Sequence, residues 1–198
     1  MSGVPTILYR DAHLEIVDKP TGVAVAAGRD GDHASSLLGQ LGLRLCHRLD
    51  VGTSGVLVLA RTEHGQRLVS AAFERGAVEK TYLALVAGDL SDAGVVDLPL
   101  GDWKRGRVQI GRGRPARTRF AVLARGVHRA RVHAWPETGR THQIRAHLSA
   151  VGAPIVGDED YGGPAAARIY LHAARIVLPW PTADDRLVIE ASEPAGFA

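Results

Sequence analysis

Cysteine, lysine and long apolar runs are all scarce in this 198-residue chain. Cys46 is the only cysteine. That rules out an intrachain disulfide and leaves no material for a thiolate metal cluster. No apolar run approaches the roughly 18 residues of a membrane span. The N-terminal MSGVPTILYRDAHLEIVDKP has acidic residues early and no basic leader before an apolar stretch, so no secretory signal is expected. A cytoplasmic protein without a membrane partner is the expectation. Several chemical signatures are missing too. There is no G-x-x-x-x-G-K-S/T phosphate loop, no dinucleotide-binding glycine pattern after a strand and no G-x-S-x-G nucleophile elbow. His142 and His147 are five apart and do not share a helical face as zinc ligands four apart would, so packing or hydrogen bonding is the better reading for both. No repeat, low-complexity tract or obvious linker interrupts the chain.

What is present is ordinary for a folded domain: 45% apolar and 23% charged residues, in a length that suits one domain, or one domain with two lobes, with a sizeable core. The formal charge is +3, and Lys19, Lys80 and Lys104 are the only lysines. Arginine supplies the remaining positive charge. A chain rich in Ala, Gly, Val and Arg accounts for that ratio through composition alone, but not for where the arginines cluster. In GDWKRGRVQIGRGRPARTRF (101–120), Lys104, Arg105, Arg107, Arg112, Arg114, Arg117 and Arg119 are offset only by Asp102. The glycines make this a poor helix. A basic loop or hairpin of this kind can follow a phosphate backbone, and it can equally be a solvated hairpin with no partner.

Strands outnumber helices in the patterning. Residues 6–18 read as two short strands joined at Asp11-Ala12. SSLLGQLG (35–42) reads as a short helix capped by Ser35 or Ser36 and ended by Gly42. GVLVLAR is a buried strand. TEHGQRLVSAAFERG (62–76) is a helix with Thr62 as N-cap, an apolar stripe of Leu68, Ala72 and Phe73, and Gly76 as its stop. VEKTYLALVAG (78–88) alternates as a strand, and a polar connection leads to the basic segment. ARTRFAVLARG and HRARVHAWPE pair near Gly126. TGRTHQIRAHLSAVG (138–152) begins as a turn and becomes a helix, and API, YLHAARIVLPW and DRLVIEA supply further strands. Hairpins without strict strand–helix alternation predict an α+β fold with a mostly antiparallel sheet.

The chemistry concentrates in HRLDVGTSGVLVLART (47–62), where Asp50 stands beside Arg48 before a turn. Alone, Asp50 fits a turn cap better than a catalyst. A second polar cluster, GRTHQIRAH, adds Arg140, His142, Gln143 and Arg145 on a segment whose apolar face runs through Ile144 and Leu148. A buried carboxylate needs a cation, and an arginine from such a helix could keep Asp50 ionised and oriented.

At this point the residues carry a resemblance. HRLDVGTSGVLVLART resembles the signature of the RluA family of RNA pseudouridine synthases. VDKPTGVAV (17–25), EKTYLALVAG (79–88), GRTHQIRAHLSAVGAPIVGDEDYGG (139–163) and LHAARIVLP (171–179) resemble the family's other motifs, in the family's order, over about residues 7–190. The resemblance implies a single catalytic domain over 1–198: a mixed, mostly antiparallel central sheet flanked by helices and loops, with a central active-site cleft. It implies isomerisation of a uridine in structured transfer or ribosomal RNA, without metal or other cofactor and without an obligate protein partner. Asp50 takes the place of the catalytic aspartate, Tyr82 of the tyrosine on the target base, and Arg145 of the arginine that pairs with the aspartate. Arg48 matches an arginine that fills the gap left by a flipped nucleotide, and Leu171 an apolar pocket residue. His47, Thr53, Arg140 and Ile144 are further substrate-contact candidates. Arg112, Arg114 and Arg117 are candidates for the RNA backbone, and RPART (114–118) resembles a K-x-A-x-T pattern with Arg114 for Lys. Three features depart from the family: the first motif begins by about residue 16, without the small RNA-binding domain many members carry in front; Ala153 replaces a frequent His; and Trp180-Pro181 replaces a frequent His-Pro. Two other readings stand beside this one: an RNA-binding or ribosome-assembly protein of the same fold without activity, and an aspartate-based N-glycoside hydrolase.

Overall fold

The computed structural model describes residues 5–26, 36–104 and 106–197; Ser35 and Arg105, named above, lie outside them. The chain folds as two compact units, residues 1–79 with 173–192, and residues 80–172 with 193–198. Each has its own apolar core.

In the first unit, β1 (Thr6–Arg10), β2 (Leu14–Lys19) and β4 (Ser54–Ala60) pair in that order. β3 (Arg44–Leu45) joins the far end of β4. Beyond β4 lies β11 (Leu171–Leu178), whose residues from Ala173 onward belong to this unit, followed by β12 (Leu187–Glu190). All seven residues of β4 are buried, the pattern of a central strand covered on both faces. Helix α1 (Leu37–Leu41) begins where the Ser36 hydroxyl accepts the Gly39 N–H, and ends at Gly42 in the left-handed conformation. Helix α2 (Glu63–Glu74) is capped by Thr62, whose side chain accepts the Gly65 N–H. Its buried face differs from the expected stripe. Gly65, Val69 and Ala72 are buried, while Leu68 is 42% exposed. Residue 68 lies about 100° round the helix from Val69, and the glycine at 65 lets the helix backbone close onto the His13 carbonyl.

In the second unit, β5 (Glu79–Ala87), β10 (Arg129–Pro136), β9 (Arg117–Gly126) and β6 (Ala93–Asp97) pair in that order, each antiparallel to the next. Helix α3 (Gln143–Ala150) packs Ile144 and Leu148 into a core with Ala84, Val86, Phe120, Val132 and Ile155. The basic segment is a hairpin of its own, β7 (Leu100–Lys104) with β8 (Arg107–Ile110). Strand β6 falls inside what the sequence presents as a polar connection. The API stretch contributes only a bridge between Ile155 and Val86. The architecture is α+β, with a mostly antiparallel sheet flanked by helices, as the hairpin patterning predicts.

Gly55, the second residue of β4, has a φ of 109°, and a Cβ there would collide with the Ala173 backbone of β11. Both the torsion and the contact exclude a side chain. Gly55→Ala is expected to cost about 2–4 kcal/mol of stability, measured by urea unfolding. A change below about 0.5 kcal/mol, the range of an ordinary surface substitution, would contradict this account of the β4–β11 approach.

Candidate active site

Asp50 sits on a turn that is fixed from below and from the side. From below, β4 buries Val56, Leu57, Val58 and Leu59, roughly 1.5–3 kcal/mol each. A single turn hydrogen bond such as Thr53 N–H to Asp50 O (3.0 Å) contributes about 1 kcal/mol. The strand, more than the turn, therefore decides where Asp50 stands. From the side, the KPTG loop holds the turn through Lys19, which is fully buried at the end of β2. Its Nζ donates to the carbonyls of Pro20 (2.9 Å), Val23 (2.8 Å) and Val51 (3.2 Å). Carbonyls only accept, so these bonds use the three N–H donors of an ammonium. The Thr21 hydroxyl donates to Gly52 O at 2.9 Å and the Gly22 N–H to Val51 O at 2.8 Å. Val51 and Gly52 directly follow Asp50, so the loop grips the carboxylate's own neighbours.

Around this turn, Leu49 and Thr53 are buried, Asp50 is half-buried and Arg48 is exposed. His47 takes a structural position: Nε2 accepts the Val58 N–H at 3.0 Å, and the ring stacks on Phe73 at 4.5 Å. Cys46 is partly buried, and burial pushes its thiol up to about 12, which leaves it protonated and unreactive at neutral pH. Trp180 is buried in the same unit and donates Nε1–H to Asp11 Oδ2 at 2.7 Å. Asp11 also accepts the N–H groups of His13 and Leu14.

In the second unit, Arg145 is buried on α3 and clamps Asp158. Nε donates to Oδ2 and Nη2 to Oδ1, both at 2.7 Å, and Nη2 also reaches Asp160 Oδ2 at 3.3 Å. The guanidinium lies 5.0 Å from the Tyr161 ring. A buried bidentate pair adds little net stability, but losing one partner leaves an uncompensated charge. Its effect is to fix the arginine. The start of α3 is locked as tightly. The Gln143 amide donates to Arg117 O (2.9 Å) and Thr118 Oγ1 (3.0 Å), while Gln143 Oε1 accepts from Thr138 Oγ1 (2.6 Å) and Arg140 N (3.0 Å). His147, buried one turn on, bonds Thr118 Oγ1 through Nδ1 (2.9 Å) and Leu98 O through Nε2 (3.0 Å). His142 precedes the helix at a φ of 53° and bonds the Tyr161 hydroxyl at 3.1 Å. Both histidines are engaged in hydrogen bonds, and no group of three metal-ligating side chains occurs among the described residues.

Tyr82 lies on β5 opposite Ala134 and packs against the same core as Ile144 and Leu171. Arg140 Nε donates to Pro115 O at 3.1 Å. The arginines of the basic segment fall into two classes. Arg117 pairs with Asp97 and Glu137, and Arg119 with Glu137, so both are partly neutralised by acids outside the segment. Lys104, Arg107, Arg112 and Arg114 are exposed and form no ion pair among the described residues. Three residues central to these arrangements drew no role from the sequence. Lys19 stood at the end of an apolar strand. Asp158 stood in GDEDYGG, as the carboxylate a buried Arg145 requires. Thr118 stood among arginines, where its burial is invisible.

Comparison with known proteins settles the family. The family model described as RNA pseudouridylate synthase matches residues 13–150. The chain belongs to the RNA pseudouridylate synthase family. The dual-specificity RNA pseudouridine synthase RluA of Escherichia coli (strain K12) is 37% identical over 206 residues, covering 96% of this chain and 93% of that protein. The ribosomal large subunit pseudouridine synthase D of Nitrosomonas europaea is 36% identical over 216 residues, covering 97% of this chain and 63% of that protein. Among solved structures, human RNA pseudouridylate synthase domain containing 4 superposes with a TM-score of 0.81 at 28% identity, over 97% of this chain and 90% of that one. Human RNA pseudouridylate synthase domain containing 1 gives 0.83 at 28% identity, over 98% and 85%. The sheet and helices described above are thus the pseudouridine synthase catalytic fold. The family match includes Asp50, Tyr82 and Arg145; Leu171 lies beyond it.

The buried His147 is expected to make the fold sensitive to acid. Burial pushes its imidazole below the usual value, partly offset by the Leu98 carbonyl and the charge of Asp97. Burial and Arg131 push His133 the same way, against Glu193. A histidine held neutral in the fold contributes its full stability above the unfolded value near 6.5. As pH falls below that value the unfolded chain takes up the proton first, and stability declines towards the lowered folded value. Unfolding free energy should therefore drop between about pH 7 and 5, and His147→Gln should flatten the drop. An equally steep decline in the variant would contradict the assignment.

Proposed function

We propose that this pseudouridine synthase isomerises a uridine in structured transfer or ribosomal RNA to pseudouridine, with Asp50 as the catalytic carboxylate. The observation that carries the reading is the built turn: a half-buried aspartate on a rigid strand, its next two carbonyls held by Lys19, Thr21 and Gly22, in a chain of this family. Such a turn supplies one carboxylate at one place, as an attacking or proton-abstracting group requires.

In the reaction the bond between ribose C1′ and N1 of the uracil breaks, the base turns, and C1′ is rejoined through C5, which gives up its proton while N1 takes one up. Redox state, phosphate and water are unchanged in the balance, so no cofactor is needed. Asp50 acts on the sugar, on the base or on a sugar proton; each route uses the ionised carboxylate. The target nucleotide must leave its stack, which costs least for a loop uridine. Tyr82 stacks on the extruded base, and Arg145, preset by Asp158, takes the part of the family's active-site arginine. Arg48 is exposed, and its flat guanidinium suits the space left among the neighbouring bases. Leu171 and Ile144 line the apolar side; His47 and Thr53 shape the turn, and Arg140 supports the polar rim. Arg112 and Arg114 contact phosphates, with Arg117, already paired to acids, the weakest of the three. The dual-specificity RNA pseudouridine synthase that the chain matches over 93% of its length supports RNA as the substrate class.

Asp50→Asn should abolish pseudouridine formation while leaving folding and RNA binding near wild type; retained activity would sink the catalytic assignment. Neutralising Arg112 and Arg114 should weaken RNA binding and reduce the slope of log K against log salt by roughly one per lost phosphate contact. An unchanged slope would remove these residues from the interface.

A further inference from the structure

We infer that the β7–β8 hairpin carries a base-stacking site for single-stranded RNA, with Trp103 as its platform. This rests on the RNA substrate proposed above and adds to it a contact that sequence reasoning did not assign. The indole is 60% exposed, the most exposed tryptophan of the three in a chain with only 5% aromatic residues. Trp180 is buried, and Trp135 is half-buried on β10 beneath Arg119. The hairpin does not need Trp103 to stay folded. Its inward face is secured by Leu100 and Val108, which pack with Ala116, Ala146 and Tyr161, and by the Val108 N–H donating to the Tyr161 hydroxyl at 2.8 Å.

The surroundings of the indole select the partner. Trp103 stands opposite Val108, and the next pair along the ribbon is Lys104 opposite Arg107. Arg112 and Arg114 follow in the returning loop, whose backbone is tied to Leu100 in both directions, Leu100 N–H to Arg114 O and Arg114 N–H to Leu100 O at 2.9 Å each. None of these four cations has an acidic partner among the described residues, whereas Arg117 and Arg119 do. Successive residues of a strand point to opposite faces, so Lys104 and Arg107 project from the other face of the same ribbon. An exposed aromatic on a hairpin that also carries unneutralised Lys and Arg can stack an unpaired base while the hairpin holds the phosphates that follow it. A protein partner would have to supply compensating acids for the same patch. The hairpin turn also lies near Arg145: the position of a Cβ at Gly106 is 3.2 Å from Asp160 Oδ1, and Asp160 bonds Arg145.

The test compares binding of a synthetic RNA stem-loop and of its fully paired duplex counterpart by wild type, Trp103→Ala and Trp103→Phe. Trp103→Ala should weaken stem-loop binding roughly five- to a hundredfold, leave duplex binding unchanged, and leave the salt slope unchanged because no charge is lost. Trp103→Phe should recover most of the loss, since it keeps an aromatic face. Stem-loop binding equal to wild type in Trp103→Ala, or equal losses on stem-loop and duplex, would overturn the proposal. Run in the Asp50→Asn background, the same binding comparison is independent of catalysis. A failed stacking site is thus distinguished from a failed isomerase assignment, which is read from pseudouridine formation alone.

Discussion

The buried ammonium of Lys19 is the constraint on which the Asp50 turn depends. Removing an ammonium from water costs several kcal/mol, and the carbonyls of Pro20, Val23 and Val51 offset that only where the loop and the turn hold together. The stabilisation therefore couples two stretches 30 residues apart into one geometry. A hydrophobic residue at position 19 could fill the space but could not bridge three carbonyls. The cost of the buried charge is what makes the alternatives unfavourable: any arrangement that moves Val51 loses a hydrogen bond of a buried ammonium. This gives a short Gly-Thr-Ser-Gly turn, flexible by composition, a single conformation beside the carboxylate.

The second unit follows the same rule with the other sign of partner. Arg145 is buried against Asp158, and the helix carrying it is entered through Gln143, whose amide oxygen and nitrogen are both engaged. Each unit thus spends a buried cation on position, with the net stability coming from the apolar cores around it. The surface arginines divide by the same accounting of partners. Arg117 and Arg119 are matched to Asp97 and Glu137, while Lys104, Arg107, Arg112 and Arg114 have no acidic partner among the described residues.

Local signals in the sequence carried much of this. Ser36 and Thr62 cap the helices they were expected to cap, and Gly42 ends the first of them, because capping depends on residues within one turn. The buried strand β4 was legible from length and branching. Tertiary choices were not. Which stripe of α2 faces inward was settled by the contact of Gly65 with His13, so Val69 is covered and Leu68 is not. Strand β6 is too short to announce itself within its polar surroundings, and it forms because β9 offers an edge. The family was readable from five ordered motifs. The supports of the site were not: the bonds that tie Lys19 to Val51, Thr118 to Gln143 and Asp158 to Arg145 join residues 13 to 32 apart.

The central claim is that a carboxylate fixed at this turn converts uridine to pseudouridine in RNA. Pseudouridine mapping of total RNA from cells with and without the gene tests it most directly. The account predicts that one or a few loop uridines lose the modification without the gene. They should regain it with the wild-type protein and fail to regain it with Asp50→Asn. A map unchanged by loss of the gene, or restored by the asparagine variant, would contradict it.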